Sequence, residues 1–302
     1  SYGVDAPWIA DNTFKVVSTT SGGATTTKYQ STRMNIYGGL RMGGSALYGL
    51  DIKTPTNPSL LFHITPSTTG FSRMGQIWSK PTLANIRIKG ERKRVLIFGG
   101  GYDASVYERE ATAFTEPTTA TQGNAIYIVD ANDGTLLWMA SSDTSGITDA
   151  YKKTVSSEML YSVTGQPVVR DYDADGLADM IYFADLGGQI FRVDLNNAAQ
   201  ATTTDINVGV RVKRLANLRT GSGSSLFVPR FYERLTTAIF GNGASRFVLV
   251  TAGSGNRSFP LEASSQRNKI YGIFDYDAAT KGIESTDYAG TFKAEATSSN
   301  LL

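Results

Sequence analysis

The chain has 302 residues, with 29 Lys and Arg against 27 Asp and Glu and a formal net charge of +2. This balance gives no electrostatic basis for binding nucleic acid or an anionic membrane. No apolar run approaches the ~18–20 residues of a transmembrane helix, so no transmembrane segment is expected. The absence of cysteine excludes disulfides, thiolate metal sites and cysteine nucleophiles.

The first five residues lack the charged-then-apolar pattern of a secretory signal peptide. We therefore expect either a cytosolic protein or a part of a longer one. The abundance of Gly, Tyr and Phe (31, 15 and 14 residues), together with many threonines, predicts an all-β chain with many turns.

One short pattern recurs four times along the chain. A polar or small residue is followed by an apolar residue, Tyr or Phe, and further apolar residues before an aspartate, at 44–51, 124–130, 188–194 and 268–275. The closing aspartates are Asp51, Asp130, Asp194 and Asp275, spaced 79, 64 and 81 residues apart. These intervals exceed the ~40–45 residues of a WD-type blade, but four strands with long loops fit them.

A second element precedes each of these segments, namely an apolar strand that runs into small residues, at 35–39, 95–101, 180–185 and 247–253. A third element lies at 76–83 and 163–169, with a fainter copy at 227–229. Small residues at a strand end let backbones approach closely, as they must around a central axis. The repeats predict a modified β-propeller with roughly four blades, in which the four aspartate-ending segments are equivalent strands.

The remaining segments set the expected domain organisation. Ser/Thr-rich stretches at 17–27, 111–122 and 196–205 are expected to be exposed loops, and 141–159 a short helix. We expect residues 1–302 to form one propeller-like domain of a longer protein, with 281–302 a poorly patterned tail or truncated blade. Because propellers close as rings, we expect that this domain either lacks partner blades or closes by pairing its N-terminal strand with its last blade.

The segment 171–179 carries the strongest chemical signal. Carboxylates stand at positions 1, 3, 5 and 9 of this loop, Gly176 stands at position 6, and Leu177 at position 7 can offer only its carbonyl. Oxygen ligands in a tightly turned loop suit Ca²⁺. Position 12, where an EF-hand has Glu, is Tyr182, and 180–183 is predicted to be a strand. The predicted ligands are Asp171, Asp173, Asp175, Asp179 and the Leu177 carbonyl; the alternative is a solvated Asp-rich turn.

The sequence offers little support for catalysis. The single histidine, His63, lies in an apolar run and is predicted to be an ordinary strand residue. No motif pairs a nucleophile with a base around it. We therefore predict that the chain is not an enzyme and has no catalytic residues.

Taken in order, these segments resemble the C-terminal β-propeller of the PilY/PilC family of type IV pilus tip adhesins and biogenesis factors. The resemblance is carried by 2–7, by 38–40 leading to 43–51, and by 74–81, 98–102, 126–130, 171–179 and 191–195. It implies a calcium loop formed by the residues named above, whose occupancy influences pilus extension and retraction. The Arg-Gly-Asp motif of some members is absent.

The same resemblance implies a location and partners. The location is the pilus tip at the cell surface, or the outer membrane and periplasm, of a Gram-negative bacterium. The partners are minor pilins and a von Willebrand A-like N-terminal region of the same protein, with a host-cell or abiotic surface as a further one. The implied roles are adhesion and twitching motility.

Two other functions remain open. Residues 130–138 fit the repeat of pyrroloquinoline-quinone dehydrogenases, which also use Ca²⁺, although the vicinal cysteines of many such enzymes cannot exist here. Trp8, Trp78 and Trp138 would otherwise be core or blade-packing residues. The third possibility is a non-catalytic scaffold propeller, which would not need the aspartate loop.

Overall fold

The computed structural model describes residues 3–108, 119–196, 208–241, 246–261, 268–280 and 296–297. Four β-sheets, called blades 1 to 4 here, follow one another along the chain. Blade 1 contains β1 (Trp8–Ser21), β2 (Ala24–Gly39), β3 (Leu47–Asp51) and β4 (Ser59–Ile64). Blade 2 contains β5 (Thr82–Ile88), β6 (Glu91–Gly99), β7 (Ala125–Asp130), β8 (Leu136–Ser141) and β9 (Lys153–Val155).

Blade 3 contains β10 (Val168–Arg170), β11 (Met180–Ala184), β12 (Gln189–Leu195) and β13 (Gly209–Asn217). Blade 4 contains β14 (Thr236–Phe240), β15 (Phe247–Gly253) and β16 (Ile270–Asp275), and β17 (Ala296–Thr297) joins blade 3 beside β13. Neighbouring strands are antiparallel except for β8 with β9 and β13 with β17. The short helices α1 (Ala104–Tyr107) and α2 (Asp277–Thr280) are too short to cross a membrane, and no other helix in the described ranges could do so.

The predicted all-β propeller architecture is confirmed, and so is the equivalence of the repeats. Each aspartate-ending segment forms the third strand of its blade, and each preceding apolar segment forms the second. The closing aspartates also share their register, because each pairs with the second-strand residue four or five positions before the end of that strand: Asp51 with Asn35, Asp130 with Val95, Asp194 with Met180 and Asp275 with Val248.

The core lies between successive blades, and β6 shows why. Leu96 and Phe98 pack with blade 1, whereas Val95 and Ile97 pack with blade 3. Successive side chains of a strand point to opposite faces, so a strand buried on both faces has to be apolar at every position. This accounts for the continuous apolar runs of the second and third strands.

Glycines at the ends of the second strands allow close packing around the inner edge of the blades. A Cβ atom on Gly39 would lie 2.7 Å from the Ile77 carbonyl oxygen, and a Cβ on Gly99 would collide with the Val163 carbonyl. Ile77 and Val163 belong to the segments that lead into β5 and β10. The small residues therefore have the packing role predicted from the repeats.

The expectation of a loop at 17–27 was wrong. These residues extend β1 and β2 into an exposed two-stranded ribbon, joined by Gly22 and Gly23 with positive φ angles of 61° and 79°. Threonine is β-branched and favours extended backbone, and paired hydroxyls bond across the ribbon, as between Thr20 and Thr25 at 3.0 Å. A polar composition was therefore compatible with a strand.

Other predicted segments had mixed outcomes. Residues 141–159, where a short helix was expected, contain the three-residue 3₁₀ helix Ala150–Lys152, followed by β9. Most of 111–122 and 196–205, and all of 281–302 except β17, lie outside the described residues. Within the described residues β1 shares a sheet with β2, β3 and β4 and not with blade 4.

Candidate metal centre

The aspartate loop connects β10 to β11, as predicted. Ala174 and Gly176 adopt positive φ angles of 63° and 84°, which reverse the chain twice within nine residues. Aspartate side chains stabilise these turns by accepting backbone N–H bonds. The Asp173 carboxylate accepts from Asp175 N at 3.1 Å, and the Asp175 carboxylate accepts from Leu177 N at 2.7 Å. Asp is suited to such turns because its short side chain reaches the backbone two residues on.

The loop brings three of the four predicted carboxylates together. Asp171, Asp173 and Asp179 each offer an oxygen, and these atoms lie within 4.8 Å of one another. Asp171 and Asp173 are exposed, and Asp179 is buried. Asp175 is also exposed but lies outside this group, and its carboxylate accepts from the backbone N–H of Leu177.

Backbone bonds hold the buried end of the loop. Asp179 N donates to the Arg170 carbonyl, and Leu195 N donates to the Asp179 carbonyl, both at 2.8 Å. The Asp179 carboxylate also accepts from Tyr172 N at 2.5 Å. The Leu177 side chain is buried. Its backbone carbonyl is the group that was predicted from the sequence to be a ligand. One carboxylate of the cluster is thus fixed to the sheet while the other two lie on the exposed turn.

Blade 2 contributes two contacts to this loop that sequence reasoning missed. The Arg92 guanidinium donates to the Gly176 carbonyl at 2.5 Å, and Ala178 N donates to the Asn85 carbonyl at 2.8 Å. Arg92 and Asn85 lie in the hairpin of β5 and β6, and Arg92 is 84 positions before the glycine that it contacts. Arg92, Lys93 and Arg94 form a short basic run that is visible in the sequence, but nothing in that run indicates a contact with the aspartates.

The donor set fits Ca²⁺. Three ionised carboxylates within 4.8 Å repel one another, and a divalent cation among them would offset this repulsion. Ca²⁺ takes 6–8 oxygen ligands at ~2.3–2.6 Å and tolerates irregular geometry. Carboxylates on a nine-residue turn, together with a backbone carbonyl, supply hard oxygen ligands of this type.

The residues considered for catalysis have other roles. The His63 ring stacks on the Tyr48 ring with centroids 4.5 Å apart, on the exposed side of blade 1. Trp138, in the segment that resembles a quinone-dehydrogenase repeat, is completely buried between blades 2 and 3, and its indole N–H donates to Thr154 at 3.2 Å. Trp138 is therefore a blade-packing residue, whereas Trp8 and Trp78 are only partly buried.

Known proteins with similar sequences are type IV pilus factors. The chain is 24% identical over 267 residues to the type IV pilus biogenesis factor PilY1 of Pseudomonas aeruginosa strain UCBPP-PA14, covering 83% of this chain and 20% of that protein. It is 26% identical over 255 residues to the PilY1 homologue of Xylella fastidiosa, covering 81% of this chain and 15% of that protein. No family model matches the chain.

The fold is similar to that of a solved relative. The crystal structure of the Pseudomonas aeruginosa PilY1 C-terminal domain aligns with a TM-score of 0.55 and 20% identity, covering 89% of this chain and 50% of that one. The resemblance to the PilY/PilC family predicted from the sequence is confirmed by these relatives. The chain spans about a fifth or less of the length of the curated relatives that it matches.

Proposed function

We propose that this chain is a calcium-binding β-propeller of a type IV pilus-associated protein that acts in pilus biogenesis. The similarity to PilY1 proteins supports the pilus setting. The observation that carries the calcium site is the cluster of Asp171, Asp173 and Asp179 oxygens within 4.8 Å. In this proposal Asp175 and the Leu177 carbonyl complete the ligand set.

Ca²⁺ would act locally on the join between two blades. The loop contacts blade 2 through Arg92 and Asn85 and is continuous with β11 of blade 3. An ion that draws the exposed Asp171 and Asp173 toward the fixed Asp179 would order the turn that carries the Gly176 carbonyl. We expect occupancy to stiffen this boundary, which would let the loop regulate pilus extension and retraction.

The site should prefer Ca²⁺ to Mg²⁺. Mg²⁺ requires a near-ideal octahedron at ~2.0–2.1 Å and gives up its water reluctantly. The turn offers its oxygens from exposed aspartate side chains rather than from an enclosed octahedral cage. We expect Ca²⁺ to bind in the presence of a tenfold excess of Mg²⁺.

Isothermal titration with CaCl₂ tests the site directly. The wild-type chain should bind one Ca²⁺, and the Asp171→Asn/Asp173→Asn variant should show no binding at millimolar concentration. The matched control is Asp133→Asn/Asp149→Asn, which removes two exposed aspartates that also cap turns but lie in two loops within blade 2, between β7 and β8 and between β8 and β9. Equal binding by both variants, or none by the wild-type chain, would refute the site.

The pilus role needs a cellular experiment. The two variants would be placed in the full-length protein, and surface pili, twitching and adhesion to cells and abiotic surfaces would be measured. We expect Asp171→Asn/Asp173→Asn to change pilus number or twitching while the control does not. Minor pilins and a von Willebrand A-like region are the proposed partners, and their retention by pull-down would test that part separately.

The prediction that the chain is not an enzyme is part of this proposal. Its support is that the similar curated proteins are pilus factors and that Trp138 is buried in the core. Reconstitution with pyrroloquinoline quinone and Ca²⁺, followed by dye reduction with alcohols, should give no turnover. Measurable turnover would favour the dehydrogenase alternative.

A further inference from the structure

A cavity of about 340 Å³ lies where the leading segments of the four blades converge, at the opposite end of β10 from the aspartate loop. Its lining includes Trp8 at the start of β1, Trp78 and Lys80 before β5, Gln166 before β10, and Arg234 before β14. The volume lies in the ~300–1,000 Å³ range of small-ligand sites. All four blades therefore contribute to one site that the calcium proposal does not use.

One wall of this cavity is aromatic. The Trp78 ring lies 5.9 Å from the Tyr232 ring and 4.2 Å from the Tyr102 ring, between centroids. The Arg41 guanidinium lies over the outer part of this group, 4.9 Å from the Trp78 ring centroid. Stacking on an aromatic face orients a guanidinium while leaving its N–H donors at the edge free to bind an anion.

The charges around the cavity are mostly positive. Four cationic side chains and one carboxylate line it: Arg41, Lys80, Arg234, Arg257 and Glu233. Arg257 pairs with Glu233, and Arg41 lies 3.6 Å from Asp5 of the N-terminal segment. Lys80 and Arg234 form no ion pair with any residue in the described part of the chain. Lys80 is half-buried, so its charge is only partly screened by water.

We propose that this cavity binds an acidic segment of a partner polypeptide, with a Glu or Asp carboxylate placed between Lys80 and Arg234. A carboxylate that accepts hydrogen bonds from charged donors forms stronger bonds than a neutral acceptor. The aromatic wall supplies apolar contact for the adjoining peptide and limits access of water. The Gln166 side chain donates to Thr82 at 3.0 Å and is thereby held in the lining.

The existing contacts favour a polypeptide over another anion. Two of the four cations already bind carboxylates of this chain, and the Asp5 carboxylate also accepts from the backbone N–H of Met42 at 3.2 Å. The rim thus already binds an acidic residue through both a cation and a main-chain amide. Lys80, which is half-buried, and Arg234, which is exposed, add two further cations to the lining. This proposal does not depend on the calcium site.

Intrinsic fluorescence can report binding in the wild-type chain. Two of the three tryptophans, Trp8 and Trp78, line the cavity, while Trp138 is fully buried elsewhere. The probe is the blocked tetrapeptide acetyl-Glu-Glu-Glu-Glu-amide, and the matched neutral probe has four Gln residues. We expect saturable quenching by the Glu peptide only, with weaker binding as NaCl is raised from 50 to 300 mM, because salt screens such pairs.

Charge reversal then locates the site. Lys80→Glu/Arg234→Glu should weaken binding of the Glu peptide about tenfold or more, as expected for loss of charge-assisted contacts. The matched control is Lys15→Glu/Arg246→Glu, which makes the same charge change at exposed positions on the distal ribbon and at the start of β15. Unchanged circular dichroism and melting temperature would establish that both variants are folded.

Three outcomes would overturn the proposal. The first is no quenching and no heat of binding with millimolar Glu peptide. The second is equal weakening in the cavity variant and the control, which would indicate a general charge effect. The third is tighter binding of a trigalacturonate or of inorganic phosphate than of the Glu peptide, which would assign the cavity to another anion.

Discussion

Arg92 donates to the Gly176 carbonyl at 2.5 Å across the boundary between blades 2 and 3. The two residues are 84 positions apart, and the bond connects the hairpin of one blade to the turn that carries the clustered aspartates of the next. The aspartate loop is thus attached to two blades, so a conformational change in the loop would alter the contacts between these blades.

Arg92→Ala should destabilise the chain modestly, by about 0.5–1.5 kcal/mol, the usual worth of one such hydrogen bond. The loss should be smaller with saturating Ca²⁺, because the ion would itself order the turn. Urea denaturation with and without Ca²⁺ measures both effects. Lys93→Ala is the control, since it removes a neighbouring cation whose pair with Glu91 is exposed to solvent and therefore contributes little to stability. An equal loss with and without Ca²⁺ would contradict the coupling.

Ala174 and Gly176 should respond in opposite ways to an exchange of side chain. Ala174 holds a φ of 63°, so Ala174→Gly removes strain of roughly 1 kcal/mol, partly offset by the flexibility of glycine in the unfolded chain. Gly176→Ala introduces the same strain at a φ of 84° and places a Cβ against the Arg92 guanidinium. Calcium titration and thermal melting should show weaker binding and lower stability for Gly176→Ala only. Similar losses for both would contradict this account.

The buried Arg192 should be needed to hold blades 3 and 4 together. It lies on β12, 2.7 Å from Asp194 of its own strand and 2.6 Å from Asp275 of blade 4, and these three side chains are almost fully buried. Arg192→Leu removes the cation from the buried Asp275 carboxylate, while Asp194 keeps its ion pair with Arg211, and should cost about 3–5 kcal/mol. Denaturant unfolding measures the loss.

A double variant separates charge from packing in this network. Arg192→Leu/Asp275→Asn also removes the buried carboxylate that Arg192→Leu leaves without its cation, so it should be less destabilised than the sum of the single variants. Strict additivity would indicate that Arg192 contributes packing alone.

Asp185 should make stability depend on pH near neutrality. Burial raises the pKa of its carboxyl to about 7, although Gly187 N and the Gln189 amides donate to it. The unfolded chain releases this proton near pH 4, so the folded state holds the extra proton between about pH 4 and 7. Stability from this group is present at low pH and lost as pH rises toward 7.

Asp185→Asn should remove this component, because an amide does not titrate in the range. Urea denaturation of both chains at pH 5, 6, 7 and 8 provides the comparison. The slope of unfolding free energy with pH, rather than its value at one pH, is the quantity to compare. Parallel slopes for the two chains would show that Asp185 does not titrate there.

The amino-acid sequence by itself determined the blades, the equivalent strands and the carboxylate loop. These features are local in the chain: an apolar run long enough for a strand buried on both faces, an aspartate at its end, and alternating carboxylates that close on Gly176. The Thr-rich ribbon at 17–27 was predicted to be a loop because its residues are polar. Polar composition does not show whether a second strand pairs with the first, so the ribbon could not be recognised from it.

The tertiary structure decided which distant side chains share a site. Backbone hydrogen bonds hold Asp179 beside the start of β11, whereas the Asp175 carboxylate accepts from Leu177 N. Arg92 of blade 2 donates to the Gly176 carbonyl of the same loop. The cavity lined by Trp78, Lys80 and Arg234 likewise joins segments that are remote in the chain. Such contacts depend on how successive sheets stack and twist, and a pattern that repeats along one strand carries no information about the rotation between neighbouring blades.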